Sequence, residues 1–452
     1  MRVVSRLRSL GVVVCSLSVI LLAGGCGGPS KSSGPTSVTL TEDQEAAIRY
    51  AAALAAAQQT SAERGQHDPT TSPTPAPTSS ATASTSSAGS PPLVPGNVTS
   101  VATSSEADRG LHNFVHSCAI VGGAAKCWGS NRYGRLGDGT TRIESNMPVQ
   151  VVGLDSGVTA ISVGTGHSCA VVSGAAKCWG DNYEGELGIG QKYGWSNTPV
   201  QVLGLEQGVS AISAGFASTC AVVFGAARCW GFNGDFQLGD GTDLAQYSPV
   251  AVFGLDAGVT GISVGYSSVC AVVDGAAKCW GSNRYGQLGD GTTRTRATPV
   301  DVVGLSDGVT TLSIGGEQNA HACAVAIGAG WCWGDYGIGP GSSVPVSVSV
   351  SSGVATDIEV GAQGGCIVVD SGVLCWGYNL GGVLGDGSNV SGVDAPVAVS
   401  GLQTGVSGIS VGYATACAVV VDMAMCWGDN FEGQLGDGTN TSTNTPRSVL
   451  GL

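Results

Sequence analysis

Sixteen cysteines carry most of the chemical potential of this 452-residue chain. Fourteen of them fall into pairs of one spacing: Cys118 and Cys127, Cys169 and Cys178, Cys220 and Cys229, Cys270 and Cys279, Cys323 and Cys332, Cys366 and Cys375, Cys417 and Cys426. Paired thiols hold zinc at Cys-x2–4-Cys spacing, run redox chemistry as Cys-x-x-Cys, or close structural disulfides. Neither of the first two spacings occurs, so no metal site is expected. The unit Cys270-Ala-Val-Val-Asp-Gly-Ala-Ala-Lys-Cys279 favours the third chemistry. Asp274-Gly275 suits a two-residue type I′ turn, which sets Val273 opposite Ala276 and Cys270 opposite Cys279. That pair is non-hydrogen-bonded, with Cα atoms ~4.5 Å apart, inside the range that a disulfide spans. Such staples persist in an oxidising compartment.

Other residue types invite weaker chemistry. Asp-Gly recurs at Asp138-Gly139, Asp240-Gly241, Asp290-Gly291, Asp386-Gly387 and Asp437-Gly438. Asp is a hard oxygen ligand suited to calcium, but the alternating acids of a calcium loop are missing, and turn formation is the expected role. His116, His167 and His321 each precede the first Cys of a pair, in a slot that other copies fill differently, so turn bonding is expected of them rather than catalysis. No Ser/His/Asp order, phosphate loop or paired-carboxylate pattern stands out, and the chain reads as a non-enzyme without cofactors. Tyr133, Tyr183, Tyr193, Trp195, Phe236, Tyr247 and Tyr285 lie in or near stretches that diverge between copies, the makings of a contact surface for a protein or glycan. The net charge of −14 repels phosphate backbones and anionic headgroups, so no nucleic-acid partner is expected.

The elements that must position these residues are short strands. Gly supplies 73 residues, which suits strands and tight turns rather than helices. Cys-Trp-Gly tripeptides place Trp128, Trp179, Trp230, Trp280, Trp333, Trp376 and Trp427 at a period near fifty residues. One copy contains Pro148–Leu154, Gly157–Gly164, His167–Val172 and Ala175–Gly180, short apolar pieces bounded by Gly, the first three rich in Val. The two middle pieces are apolar on both faces, so neighbouring copies must cover them. A four-stranded unit of this length, stacked face to face, describes a propeller blade. The chain ends on Pro446–Leu452, read as the first strand of a unit, and the repeats start near Asn97–Val101 with the second. The expectation is an all-β, seven-bladed β-propeller of four-stranded antiparallel blades over 97–452, closed by pairing of the N- and C-terminal strands.

The motif Cys-Trp-Gly-x-Asn-x-x-Gly-x-Leu-Gly-Asp-Gly-Thr, seen at Cys127–Thr140, Cys279–Thr292 and Cys426–Thr439, resembles the regulator-of-chromosome-condensation repeat. That resemblance covers roughly 97–452 and implies a seven-bladed propeller. The fifth copy departs from it: Trp333-Gly-Asp-Tyr-Gly-Ile-Gly-Pro340 lacks the Asn and the Gly-Asp-Gly-Thr turn, which predicts a shortened outer loop.

Residues 1–25 read as an export signal, with Arg2, Arg6 and Arg8 before the apolar run Leu10–Leu22. Leu21-Leu22-Ala23-Gly24-Gly25-Cys26 resembles a bacterial lipobox, which makes Cys26 the lipidated residue; the alternative is an ordinary cleaved signal. Residues 26–96 are Ser, Thr, Ala and Pro, a tether that cannot bury enough apolar surface to fold, with a short spacer helix admitted over 42–59. The functional expectation is a monomeric lipoprotein at the bacterial cell surface, anchored to the membrane by lipid alone. It would act as a non-enzymatic scaffold for an extracellular protein or glycan. The resemblance implies two alternatives, a secreted inhibitor of β-lactamases and a nucleotide-exchange factor for a small GTPase; the export signal and cysteines oppose the second. A surface polysaccharide-active enzyme is a further alternative, and it requires convergent acids at a central channel.

Overall fold

Two-residue turns organise most of the chain into hairpins whose cysteines face one another. A computed structural model describes residues 12–15, 18–21, 96–104, 115–316, 320–335, 341–362 and 364–452. The chain divides into two units, Met1–Gly89 and Ser90–Leu452. Of the first, only an antiparallel hairpin is described, Val12–Cys15 against Ser18–Leu21. The lipobox with Cys26 and the tether with its helix over 42–59 lie outside the described residues.

The second unit is seven four-stranded antiparallel sheets in a ring, numbered here as blades I to VII. Blade I runs Val98–Thr103, His116–Val121, Ala124–Ser130 and Glu144–Gln150, and blade VII runs Val406–Val411, Thr415–Val420, Met423–Gly428 and Thr443–Ser448. In every blade the strands neighbour one another in chain order, from the first at the channel to the fourth at the rim. The expected turn holds: Asp274 and Gly275 take φ of 50° and 81°, Val273 faces Ala276, and Cys270 faces Cys279. All seven disulfides form across the second and third strands, with Cα atoms 4.0–4.1 Å apart.

Second strands are buried between blades on both faces, as in His167–Val172. Fourth strands are half-exposed rim edges, and Pro148, Pro199 and Pro249 sit in them, where a missing N–H interrupts no inner ladder. Blade V connects its third and fourth strands through residues 335–341 alone, against 131–143 in blade I, so its outer loop is shortened as expected.

The expected mode of closure is overturned. No blade is shared between the chain's ends: Pro148–Leu154 belongs to the blade before it, and Thr443–Ser448 completes blade VII by pairing with Met423–Gly428. The segment after each fourth strand crosses from the rim to the channel and starts the next blade. The sequence favoured the wrong grouping because that crossing is short, whereas the true third-to-fourth connection is long. Ring closure instead repeats the ordinary joint. Val158, Val209, Val259, Val309, Ala355 and Val406 each donate a backbone N–H to the hairpin turn of the preceding blade, and Val98 donates in the same way to Asp422 of blade VII, at 3.0 Å.

Candidate functional site

The rim loops are held by the residues of the repeated motif. Asn131 accepts the Leu136 N–H on Oδ1 at 3.0 Å and donates through Nδ2 toward Asp138. The Asp138 carboxylate accepts the Thr140 N–H and hydroxyl at 3.0 and 2.8 Å. Asn182, Asn283 and Asn430 bond Leu187, Leu288 and Leu435 in the same way, and Asp240, Asp290 and Asp437 each cap a Thr. The Asp-Gly carboxylates therefore serve turns, as the sequence indicated.

Among the described residues, the loops of blades I to IV, VI and VII are each bolted to the next blade. Trp179 is fully buried and donates its indole N–H to the Arg135 carbonyl at 2.9 Å. Gly137 permits this, because a Cβ there would lie 2.7 Å from Trp179 Nε1, and its φ is 67°. Trp230, Trp280, Trp333 and Trp427 make the corresponding bond to Glu186, Gln237, Gln287 and Val383. The result is a rigid ring with its variable residues displayed on the outside.

The structure brings four of the seven candidate aromatic residues into one region. Tyr183 and Tyr193 meet edge to face at 5.3 Å, and Lys192 Nζ stands 4.5 Å from the Tyr193 ring and 5.9 Å from that of Tyr247. Hydrogen bonding to Tyr193 raises the Lys192 ammonium to about 12. Trp195 opens the fourth strand of the same blade and is 51% exposed. Tyr247 packs across from blade III, over Gly185. Tyr133 lies in blade I with Arg135 at 6.0 Å, and Phe236 and Tyr285 occupy the loops of blades III and IV, outside this cluster. Lys192 was missed because the sequence reading sorted that loop by aromatics alone.

A second feature is the central channel, of about 350 Å³, whose lining residues the sequence reading did not name. At one position of the first strand, blades II, III, IV, V and VII place Ser162, Ser213, Ser263, Ser313 and Ser410 on the wall. Their hydroxyl oxygens accept the backbone N–H of Ala214, Val264, Ile314, Val360 and Thr103 in the following blade, at 2.9–3.1 Å. These are sheet-edge donors, which need a partner. Blade I has Ala102 there and blade VI has Glu359. Burial, with Asp357 adding to it, pushes Glu359 up to about 8, while its bond from Ser313 Oγ at 2.8 Å opposes that rise. Burial likewise raises Asp357, which accepts from the N–H groups of Ile358 and Ile409. The signal was available: aligned copies carry small residues wherever blade VI has these acids.

His116 and His167 bond across blades rather than within turns. His116 Nε2 lies 2.7 Å from Ser168 Oγ and His167 Nε2 lies 2.8 Å from Thr219 Oγ1, all fully buried. Burial, reinforced by the Arg135 guanidinium, holds both imidazoles below the ordinary histidine range, His167 at about 3. They are neutral structural pins.

A closed ring of seven four-stranded sheets bolted by buried tryptophans defines the class: a seven-bladed β-propeller. The model of the regulator of chromosome condensation (RCC1) repeat matches three stretches of this chain, residues 127–171, 227–272 and 274–322. The first two matches run from the third strand of one blade to the second of the next, so the sequence repeat is out of phase with the blade. The human E3 ubiquitin-protein ligase HERC2 is 37% identical over 134 residues, which is 27% of this chain and 3% of that protein's length. Human WBSCR16 superposes with a TM-score of 0.63 at 20% identity, over 72% of this chain and 93% of that one. Yeast RCC1 (Prp20), solved with Kap60 bound, gives 0.62 at 20% identity over 72% and 83%. Prp20p from Saccharomyces cerevisiae, studied with its binding to Gsp1p and histones, also gives 0.62.

Proposed function

We propose that this chain is an exported, lipid-anchored propeller that holds an extracellular protein or glycan on its rim and catalyses no reaction. The observation that carries this reading is the cluster of Tyr183, Lys192, Tyr193, Trp195 and Tyr247, which presents aromatic faces and one cation from a rigid support. Exposed aromatic residues on a pre-ordered frame bind at low entropic cost. Kap60, Gsp1p and histones are partners of the yeast propeller that shares this fold, which supports a scaffold role here. Seven disulfides fit an oxidising exterior. Among the described residues no helix is long and apolar enough to cross a membrane, so attachment in this reading rests on Cys26.

The immobilised full chain, offered cell-envelope extract, a polysaccharide panel and a β-lactamase, should retain a ligand that Trp195→Ala and Tyr247→Ala bind at least tenfold more weakly. Equal retention by an unrelated propeller contradicts the reading. One observation favours an enzyme as the second reading, the acid pair in the channel. Yet Asp357 and Glu359 stand two residues apart on one strand, so they share one wall rather than flanking a bond from two sides. Turnover of any polysaccharide by the full chain, lost in Glu359→Gln, would establish that reading instead.

A further inference from the structure

The hairpin turns carry a pattern that the rim site does not use. Each joins second and third strands through two residues of positive φ, a geometry that favours Gly, Asn and Asp. At the first position Gly122, Ser173, Asp274 and Asp370 have φ of 57°, 50°, 50° and 49°. Blades III, V and VII instead have Phe224, Ile327 and Val421, at 51°, 51° and 47°. A left-handed backbone is disfavoured for a bulky residue and more so for a β-branched one. These side chains also gain little from burial, being 75%, 86% and 64% exposed. Each therefore bears both backbone strain and apolar exposure with little return inside the molecule. Local rules broken without internal compensation point outward, to a contact.

The turns lie at one end of the ring. Phe224 N–H bonds the Gly208 carbonyl ahead of its own blade's first strand, and the Gly225 carbonyl accepts from Val259 of the next; Ile327 and Val421 bond Gly308 and Gly405 in the same way. The crossing that meets the blade V turn adds exposed Val354, at 58%, beside Gly328. Charge at this end is mostly acidic and exposed: Glu206, Asp256, Asp274, Asp307, Asp370 and Asp422. Four bases stand nearby, Lys126, Lys177, Arg228 and Lys278; Lys126 is bonded to the Gly451 carbonyl, Arg228 to the Ala227 carbonyl, and Lys278 is paired with Asp301.

We infer that this end of the propeller, opposite in each blade to the third-to-fourth strand loops, is a second docking face for a protein segment carrying apolar side chains flanked by Lys or Arg. The apolar tips supply the contact and the ring of acids selects the flanking charge. Anionic membranes are disfavoured by those same acids. This inference goes beyond the rim cluster and does not depend on it.

The test uses the full chain and the triple variant Phe224→Asn, Ile327→Asn, Val421→Asn, which keeps the charge and relieves the strain, because Asn tolerates left-handed backbone. The probe is a fluorescent Leu/Lys amphipathic peptide, with Ser/Lys and Leu/Glu peptides of equal length as controls. The wild type should bind the Leu/Lys peptide at least tenfold more tightly than either control. The triple variant should lose that tenfold preference while melting at or above the wild-type temperature, and Trp195→Ala should leave it unchanged. Undiminished binding by the triple variant overturns the inference, as does a lower melting temperature, which would show that the tips serve the fold. Cosedimentation of the wild type with phosphatidylglycerol vesicles, or a dimer that the triple variant dissolves, would assign the face to a membrane or to a second copy and overturn it as well.

Discussion

Trp128 in blade I donates its indole N–H to the carbonyl oxygen of Gln434 in blade VII, 2.8 Å away across the junction where the two ends of the ring meet. Trp179 makes the same bond to Arg135 at 2.9 Å within the body of the ring. The closing joint is one more copy of a common joint. Trp128→Phe and Trp179→Phe should therefore destabilise by similar amounts, about 1–3 kcal/mol each, because each loses a buried hydrogen bond and leaves a void, while the carbonyl keeps its bond from Ser117 or Ser168. Urea denaturation of the two variants checks this. A much larger loss at Trp128 would mean that closure depends on a special latch.

The serine ring predicts a gain of stability. Blade I carries Ala102 where five other blades supply a hydroxyl to the next blade's edge amide. Ala102→Ser should provide that acceptor to Val163 and stabilise by roughly 0.5–1.5 kcal/mol. Hydrogen exchange at the Val163 amide should slow to the rate of Ala214. No slowing would show that channel water already satisfies the group.

Two opposed titrations predict how stability follows pH. Glu359 is raised to about 8, so the folded state holds a proton that the unfolded state releases near 4.5. Stability is full below the unfolded value and falls as pH rises toward 8, with a slope of up to about 1.4 kcal/mol per pH unit. His167 is lowered to about 3, so the unfolded state takes up a proton that the folded state refuses, and stability falls as pH drops from 6.5 toward 3. Glu359→Gln should make the alkaline limb shallower, a limb that the raised Glu186 and Glu432 share, and His167→Gln the acidic limb, which His116 shares, in melting curves across pH 3–9. A profile unchanged by Glu359→Gln would contradict the buried, protonated carboxyl.

Much of this architecture was legible because chemistry and geometry repeat together. The Cys270–Cys279 spacing and the Asp274-Gly275 turn fixed a hairpin register that the structure reproduces. The phase of the blade was not legible, since Pro148–Leu154 lies nearer in sequence to Gly157–Gly164 than to the strand it pairs with. What bridges that longer gap is the Asn131-centred loop, whose bonds only a folded chain displays. Among the candidate site residues, the grouping of Tyr183, Tyr193 and Tyr247 depends on two blades meeting, which no single copy encodes. Asp357 and Glu359 could have been found by asking where one copy breaks the pattern of the others.

Each staple should matter on its own. A ten-residue hairpin loop gives roughly 2–3 kcal/mol per bridge on the chain-entropy account. The double replacement Cys270→Ser, Cys279→Ser should lower stability by about that amount without loss of the fold. Matching near- and far-ultraviolet circular dichroism with a reduced denaturation midpoint is the expected result.

The central claim, a ring stapled for life in an oxidising exterior, is tested most directly by counting thiols in the full chain unfolded without reductant. Fourteen of the sixteen cysteines are paired, so alkylation and intact mass should find no more than the two thiols of Cys15 and Cys26, rising by fourteen after reduction. Fourteen or more alkylated sites before reduction would contradict both the stapled blades and the proposed location.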